Sequence, residues 1–376
     1  MDKVRAVKEA LTERYREREA PIEGLVLSLV ARQHMLLIGP PGTAKSAMVL
    51  DFAKMLGLAS FSWLLTKFTT PAELFGPVSL TALEEGRYGR VTAGKLPEAE
   101  VAFLDEIFKA SSAILNTLLT LMQERIFYNN GGAQTVPLIS IIGASNEMPS
   151  GEELAAFYDR FLARFVVSYV SDEQIPNLLA GSQPPVMVMG RDELIALQEQ
   201  AQQVSVPDSV IDRVVEIRAK LRKEGIIPSD RRFVQSLDLA KASAAVDGRD
   251  EIMDVDLRPL EWTLWNLPEH RQQVVRVVNM VIDPLAQKAL EITDEAESVF
   301  KNAIDLATAE AGVEAVNKLK VLIQRCKEEI AKAGDQNPRA LEKAREQLEQ
   351  WNAKVVEVCL GLGKEKDDAR GRGDEG

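Results

Sequence analysis

The stretch Leu36-Leu-Ile-Gly39-Pro-Pro-Gly42-Thr-Ala44-Lys45-Ser46 constrains this chain more than any other, because an apolar strand runs straight into a glycine-bearing loop and then into a helix. Backbone N–H groups in such a loop, with the positive end of the following helix, make a cradle for the β- and γ-phosphates of a nucleotide. Lys45 would add a point charge on the phosphates, and the Ser46 hydroxyl would ligate magnesium. Gly39, Pro40, Pro41, Gly42, Thr43, Ala44, Lys45, Ser46 and Ala47 are therefore the candidate nucleotide-binding residues. Ala44 stands where the general pattern has glycine, a small residue that still lets the chain pass closely but gives up conformational freedom. The plainer reading, a Gly-Pro turn with an exposed lysine, is disfavoured by the strand before it and the acids that follow.

Those acids close the segment Val101-Ala-Phe-Leu-Asp105-Glu106, which reads as a buried strand ending in two carboxylates. A carboxylate at a strand's C-terminal edge lies where ligands bind in open α/β sheets, beside the phosphate loop. Asp105, with Ser46, is the candidate to hold the magnesium shell, and Glu106 the candidate to polarise an attacking water. Composition removes the competitors. His34 and His270 are the only histidines, which excludes most zinc sites and every His-based triad. Any hydrolysis must then use a carboxylate and a metal. Cys326 and Cys359 have no partner at metal-ligand or redox spacing and are expected to pack as small helix residues. The formal charge of -12 argues against sequence-independent gripping of nucleic acid, which depends on neutralising phosphates with Lys and Arg.

Up to about Val170 the chain alternates short β-rich runs with helical stretches, the pattern of a parallel sheet covered on both faces. The expected strands are Met35–Ile38, Phe61–Leu65, Val101–Leu104, Leu138–Gly143 and Phe165–Val170. Beyond Ser171 the β-type runs stop, and helical spacing recurs in Leu194–Gln203, Val210–Leu221, Phe233–Val246 and Leu257–Trp265, with Gly181–Pro185 as the clearest loop. Trp262 and Trp265, three apart on an apolar face, read as core. After Pro268, the stripes Val316, Leu319, Ile323, Cys326, Ile330 and Leu341, Ala344, Leu348, Trp351, Val355, Val358 predict two long helices folded back on each other across a break at Gly334–Pro338. The segment from Gly363 to Gly376 is Gly-rich and charged and is expected to be disordered. The expected divisions are thus an αβα core over 1–172, an all-α lid over 173–267, a helical region with an antiparallel hairpin over 268–362 and a tail over 363–376. No apolar stretch is long enough to span a bilayer and Met1 opens onto a charged helical segment, so a cytoplasmic address is expected.

From Pro21 to about Trp265 the sequence resembles the MoxR family of AAA+ ATPases, with several blocks close to its RavA-like branch. They include Gly39-Pro-Pro-Gly-Thr-Ala-Lys-Ser46, Phe68-Thr-Thr-Pro-Ala-Glu-Leu-Phe-Gly-Pro77, Phe103-Leu-Asp-Glu-Ile-Phe-Lys109, Ala144-Ser-Asn-Glu-Met-Pro149, Tyr158-Asp-Arg-Phe161 and Ser229-Asp-Arg-Arg232. Ala44 in place of glycine is itself shared by this branch. The resemblance implies an AAA+ P-loop αβα core with a five-stranded parallel sheet, followed by an all-α lid. It implies ATP and Mg2+ as cofactors, with adenine under the segment around Pro21–Gly24. Asn146 is similar to the sensor 1 residue that orients the lytic water. Arg160 resembles the arginine finger that reaches the γ-phosphate held by the next subunit, with Arg164, one helical turn on, as substitute. Arg231 matches the lid's sensor 2 position; Arg232 beside it would point elsewhere. The family's motif usually has proline where Asp230 stands.

Two insertions fit the resemblance. Gly86–Gly94 reads as a hairpin inside the second helix. Phe127-Tyr-Asn-Asn-Gly-Gly132 reads as a second hairpin, with an Asn-Gly pair suited to a primed turn. In related rings such loops face the pore or the substrate side, which makes Tyr88 and Tyr128 candidate client contacts. A hexameric homo-oligomer, a von Willebrand factor A domain partner and a protein client are the implied partners, the activity being chaperone-like remodelling. A nucleic-acid motor is the rival enzyme reading, since related AAA+ proteins with the same hairpin move DNA. An ATP-locked scaffold is the rival binding reading, and it would need neither Glu106 nor Arg160.

Overall fold

A computed structural model describes residues 2–180, 186–306, 308–333 and 338–361. The expected loop Gly181–Pro185, most of the break at Gly334–Pro338 and the tail from Gly363 lie outside the described residues. The strands run, in chain order, β1 (Met35–Ile38), β2 (Ser60–Leu64), β3 (Val101–Asp105), β4 (Ile126–Asn129), β5 (Gly132–Thr135), β6 (Ser140–Ser145) and β7 (Ala163–Val166). Five of them make one parallel sheet in the order β2-β3-β6-β1-β7. Every residue of β1 and β6 is buried, and so is β3 up to Leu104, as expected for strands covered on both faces. Edge strand β2 instead alternates, burying Phe61 between exposed Ser60 and Ser62. All five expected strands are present. The last begins at Ala163 rather than Phe165, because Leu162 and Ala163 both hydrogen-bond to the His34 carbonyl that opens β1.

The helix Glu19–Val30 lies so close to β7 that a Cβ on Gly24 would fall 2.3 Å from the Phe165 ring. Only glycine permits this approach. His34 pins the other end of the sheet. Its Nδ1 accepts from the Ile141 N–H at 2.9 Å and its Nε2 stands 3.0 Å from the Met122 carbonyl, which fixes the neutral Nε2–H tautomer. Burial pushes its pKa down to about 3 from 6.5. The folded pKa lies below the unfolded one, so this contribution is fully present above pH 6.5 and is lost as pH falls toward 3, at up to about 1.4 kcal/mol per pH unit. Urea unfolding of the wild type and His34→Gln at pH 6.5 and 4.5 is expected to show a smaller acid loss in the variant. Equal losses would rule this contribution out.

One expected hairpin is present and one is not. Strands β4 and β5 are joined by Asn130 and Gly131 with φ of 53° and 77°, the paired positive values a primed turn requires. Gly86–Gly94 forms a loop closed by a single antiparallel bridge, Val78↔Arg90, after the short helices Pro71–Phe75 and Leu80–Glu84. Glycines at 86, 89 and 94 leave too few side chains there for a cross-strand ladder.

Beyond Ser171 the described chain is helical, with Arg191–Gln203, Asp208–Lys223, Asp230–Val246 and Leu260–Thr263 as its main elements up to Trp265. Trp265 is fully buried and the Trp262 ring packs 5.1 Å from that of Phe165, so both tryptophans pack as expected. The described residues divide into two compact units between Val275 and Arg276. In the second unit the expected pair of helices, Ala309–Lys332 and Arg339–Leu360, is joined by a third, Pro284–Leu306, in one core. Its stripe is rich in alanines (Ala289, Ala296, Ala303), which carry a weaker periodic signal than leucines. Cys326 is buried in this core and Cys359 donates to the Ala303 carbonyl, while Val358, expected inside, is 48% exposed. Among the described residues no helix is long and apolar enough to cross a membrane.

Candidate active site

Strand β1 ends at Ile38, and its continuation is forced by contact. A Cβ on Gly39 would lie 1.9 Å from the Val167 carbonyl oxygen, so the loop can leave the sheet here only through glycine. The Gly39 N–H is bonded to the Ser145 carbonyl at 2.9 Å, tying the loop to β6. Gly42 and Ala44 both take positive φ, at 79° and 60°, and the helix Lys45–Met55 starts immediately after. No atom stands within 4 Å of a Cβ placed on Gly42, so the crest of the loop is open to a ligand. The Lys45 ammonium is folded back on its own loop, donating to the carbonyls of Gly39 at 2.9 Å and Pro40 at 2.7 Å. Burial lowers its pKa, and the charges of Asp105 and Glu106 oppose that shift. Ser46 and Ala47 are exposed in the first turn.

The neighbouring strands deliver the rest of the polar set. Ile38 pairs with Ser145 and Leu104 with Gly143, so β1, β6 and β3 end side by side with Gly39, Asn146 and Asp105–Glu106 emerging at one edge. Asn146, after the last residue of β6, is exposed. Asp105 is half-buried, and its Oδ1 accepts the Glu106 N–H at 3.0 Å. Glu106 has a φ of 52°, rare for a side chain of its size. Its Oε2 is enclosed yet accepts no hydrogen bond; the Lys109 ammonium is 3.2 Å away but off the line a hydrogen bond needs. The Ser46 hydroxyl and the Asp105 carboxylate are hard oxygen donors of the kind magnesium prefers, and the unsatisfied Glu106 oxygen suits a carboxylate waiting for a water proton.

The four arginines separate into two classes. Arg160 is half-exposed in the turn after the helix Glu152–Tyr158, where the Gln123 amide oxygen accepts from its Nε at 2.6 Å and one terminal nitrogen at 2.8 Å. Arg164 does not continue that helix. It sits in β7, 1% exposed, and spends its donors on the carbonyls of Phe161, Trp265 and Tyr158 at 2.9, 2.9 and 3.0 Å. The shared helical face expected for Arg160 and Arg164 is therefore absent, because the chain turns into the sheet between them. On the lid, Arg231 is exposed at the start of the helix Asp230–Val246, and Arg232 is fully buried, donating to the Asn266 side chain at 2.9 Å and the Trp265 carbonyl at 3.1 Å. Arg160 and Arg231 alone can present a guanidinium outward.

Two features escape sequence reasoning. Arg18, 7% exposed, bonds to the Glu17 and Ser168 carbonyls, and its charge depresses the pKa of Lys45. It thus stands beside the phosphate loop just before the Pro21–Gly24 segment; the Glu-Arg pair at 17–18 was the only signal, and it looks like an ordinary surface pair. The two insertions are also joined. The Asn129 side chain accepts the Arg90 N–H at 2.7 Å and donates to the Arg90 carbonyl at 3.2 Å, with Tyr88 and Tyr128 exposed by 60% and 66% nearby in sequence.

The family description "MoxR domain in the MoxR-vWA-beta-propeller ternary systems" matches residues 2–199, and "AAA lid domain" matches 209–278. The chain is 39% identical over 306 residues to an uncharacterised protein of Methanocaldococcus jannaschii, covering 80% of this chain and 79% of that one. It is 27% identical over 257 residues to the chaperone MoxR1 of Mycobacterium tuberculosis, covering 63% and 67%. The solved structure of a proposed ATPase from Cytophaga hutchinsonii superposes with a TM-score of 0.62 at 17% identity, over 74% of this chain and 94% of that one, a likeness of fold.

Proposed function

The chain belongs to the MoxR family of AAA+ ATPases, and from that premise we propose that it hydrolyses ATP with magnesium at sites shared between protomers of a ring. The observation that carries this is the meeting of Lys45, Asp105, Glu106 and Asn146 along three adjacent strand ends, with the Glu106 oxygen buried and unsatisfied among them. The loop from Gly39 to Ala47 holds the phosphates, with Lys45 released from its own carbonyls to meet them. Ser46 and Asp105 hold magnesium, whose charge offsets that of the phosphate oxygens. Glu106 takes the water proton, Asn146 orients that water, and Arg231 reports the γ-phosphate to the lid. Arg160 has no contact with its own loop residues among the described hydrogen bonds, which suits a group that acts on the neighbour's nucleotide.

The finer reading is a RavA-like, hexameric, cytoplasmic remodeller of protein clients. Its core, lid and helical region divide near 172 and 267. A von Willebrand factor A domain partner is supported by the family description, which names such systems. Tyr88 and Tyr128 are its client contacts, supported by their exposure. The rival nucleic-acid motor is opposed by the charge of -12, and the rival scaffold by the presence of both Glu106 and Arg160. Orthophosphate release measured with Mg2+ and ATP across a range of protein concentrations tests the central reading. Specific activity is expected to rise steeply with concentration; no release from concentrated protein sinks it.

A further inference from the structure

Arg164 and Arg232 come from different parts of the first unit, one from β7 and one from the lid helix Asp230–Val246, yet both donate to the same carbonyl, that of Trp265. Both are nearly inaccessible, and no salt bridge to either is found among the described residues. Burial pulls Arg232 well below the usual guanidinium range and Arg164 in the same direction, and each lies within reach of Asp159. Two like charges buried together without a bonded carboxylate are costly. Core packing alone gives no reason to keep them there; apolar side chains of similar volume would serve at least as well.

The surrounding bonds suggest what the arrangement does. The Tyr158 hydroxyl donates to the Asn266 carbonyl at 3.0 Å, and the Arg164 guanidinium lies 3.6 Å over the Tyr158 ring. The Asn266 amide accepts from Arg232 at 2.9 Å and donates to the Ile227 carbonyl at 3.2 Å. Ser229, which opens the lid helix, donates to the Asp159 carboxylate at 3.1 Å. Every residue in this set lies within four positions of Arg160 or Arg231, or belongs to the junction Trp265–Asn266 that both sides grip.

We propose that this junction is a rigid couple between the lid's Arg231 and the outward-facing Arg160, so that Tyr158, Arg164, Arg232 and Asn266 are positioning residues for ATP hydrolysis. The inference rests on the ATPase reading above. When the lid shifts with its own nucleotide, the shared carbonyl carries the shift to Tyr158 and Asp159, and with them to the arginine offered to the next protomer. Directional hydrogen bonds between buried groups transmit such a displacement better than apolar contacts, which slide.

Tyr158→Phe removes one hydroxyl and keeps the ring under Arg164; Asn266→Ala removes the amide that Arg232 grips. Each is expected to lower kcat about tenfold while the Kd for a fluorescent ATP analogue stays within about twofold of wild type. Asn266→Asp, which keeps an oxygen for Arg232, is expected to recover most of the kcat that Asn266→Ala loses. A merely structural role would lower binding and turnover together and would not be rescued by aspartate. If the wild type itself releases no phosphate, the ATPase reading falls and the couple with it. If the wild type turns over and both Tyr158→Phe and Asn266→Ala keep its kcat, or if Asn266→Asp fails to rescue, the couple alone is overturned.

Discussion

Arg160→Ala is expected to cut ATP turnover by about a thousandfold or more at concentrations that sustain assembly, with nucleotide affinity left within about twofold. The size follows from the role: a guanidinium that meets charge developing in phosphoryl transfer acts on the transition state and contributes little to ground-state binding. The structure supplies the reason binding survives. Arg160 bonds to Gln123 and none of its described bonds touches the loop of its own protomer. Mixing Arg160→Ala with Lys45→Ala protomers gives the sharper measurement. Arg160→Ala subunits keep a working loop and Lys45→Ala subunits keep a finger, so mixed rings are expected to regain turnover that neither variant has alone. Mixtures as inactive as their parents would place the arginine's action within its own subunit or outside catalysis.

Glu106→Gln is expected to lose about a hundredfold to ten-thousandfold in turnover while still binding ATP. An amide fills the same space but takes no proton from water. The Oε2 atom makes no hydrogen bond in the protein and its one ionic neighbour is the half-exposed Lys109, so the substitution is expected to change the melting temperature little. The variant should accumulate as an ATP-bound assembly, and an affinity pull-down with it is expected to retain the client that the wild type releases. Turnover near the wild-type value would move the base to another group.

The sheet and the site edge were legible from the sequence because they depend on short-range patterns. Apolar runs mark β1, β3 and β6, and the residues at or just past each strand's end form the proposed site, so finding the strand locates the candidate group. What was hidden depends on tertiary contact. A helical register through Phe161 makes Arg164 interchangeable with Arg160 in the sequence; the turn into β7 buries one and leaves the other half-exposed. Arg231 is preferred to Arg232 by resemblance alone, since adjacent helical residues differ only in which faces the core, and the burial of Arg232 fits that preference. Arg18 and the Trp265 junction could not be read at all, because their partners are main-chain carbonyls, which leave no trace in side-chain identity. The third helix of the C-terminal unit was missed through its alanines.

The stitch between Asn129 and Arg90 has a mechanical meaning. A side chain that captures both the amide and the carbonyl of a distant residue behaves as one rung of a ladder, so the segments bearing Tyr88 and Tyr128 cannot be displaced separately without tearing it. On the proposed reading, in which both tyrosines touch the client, a load on either one would fall on a single plate and reach that client over a broad front instead of at an isolated fingertip.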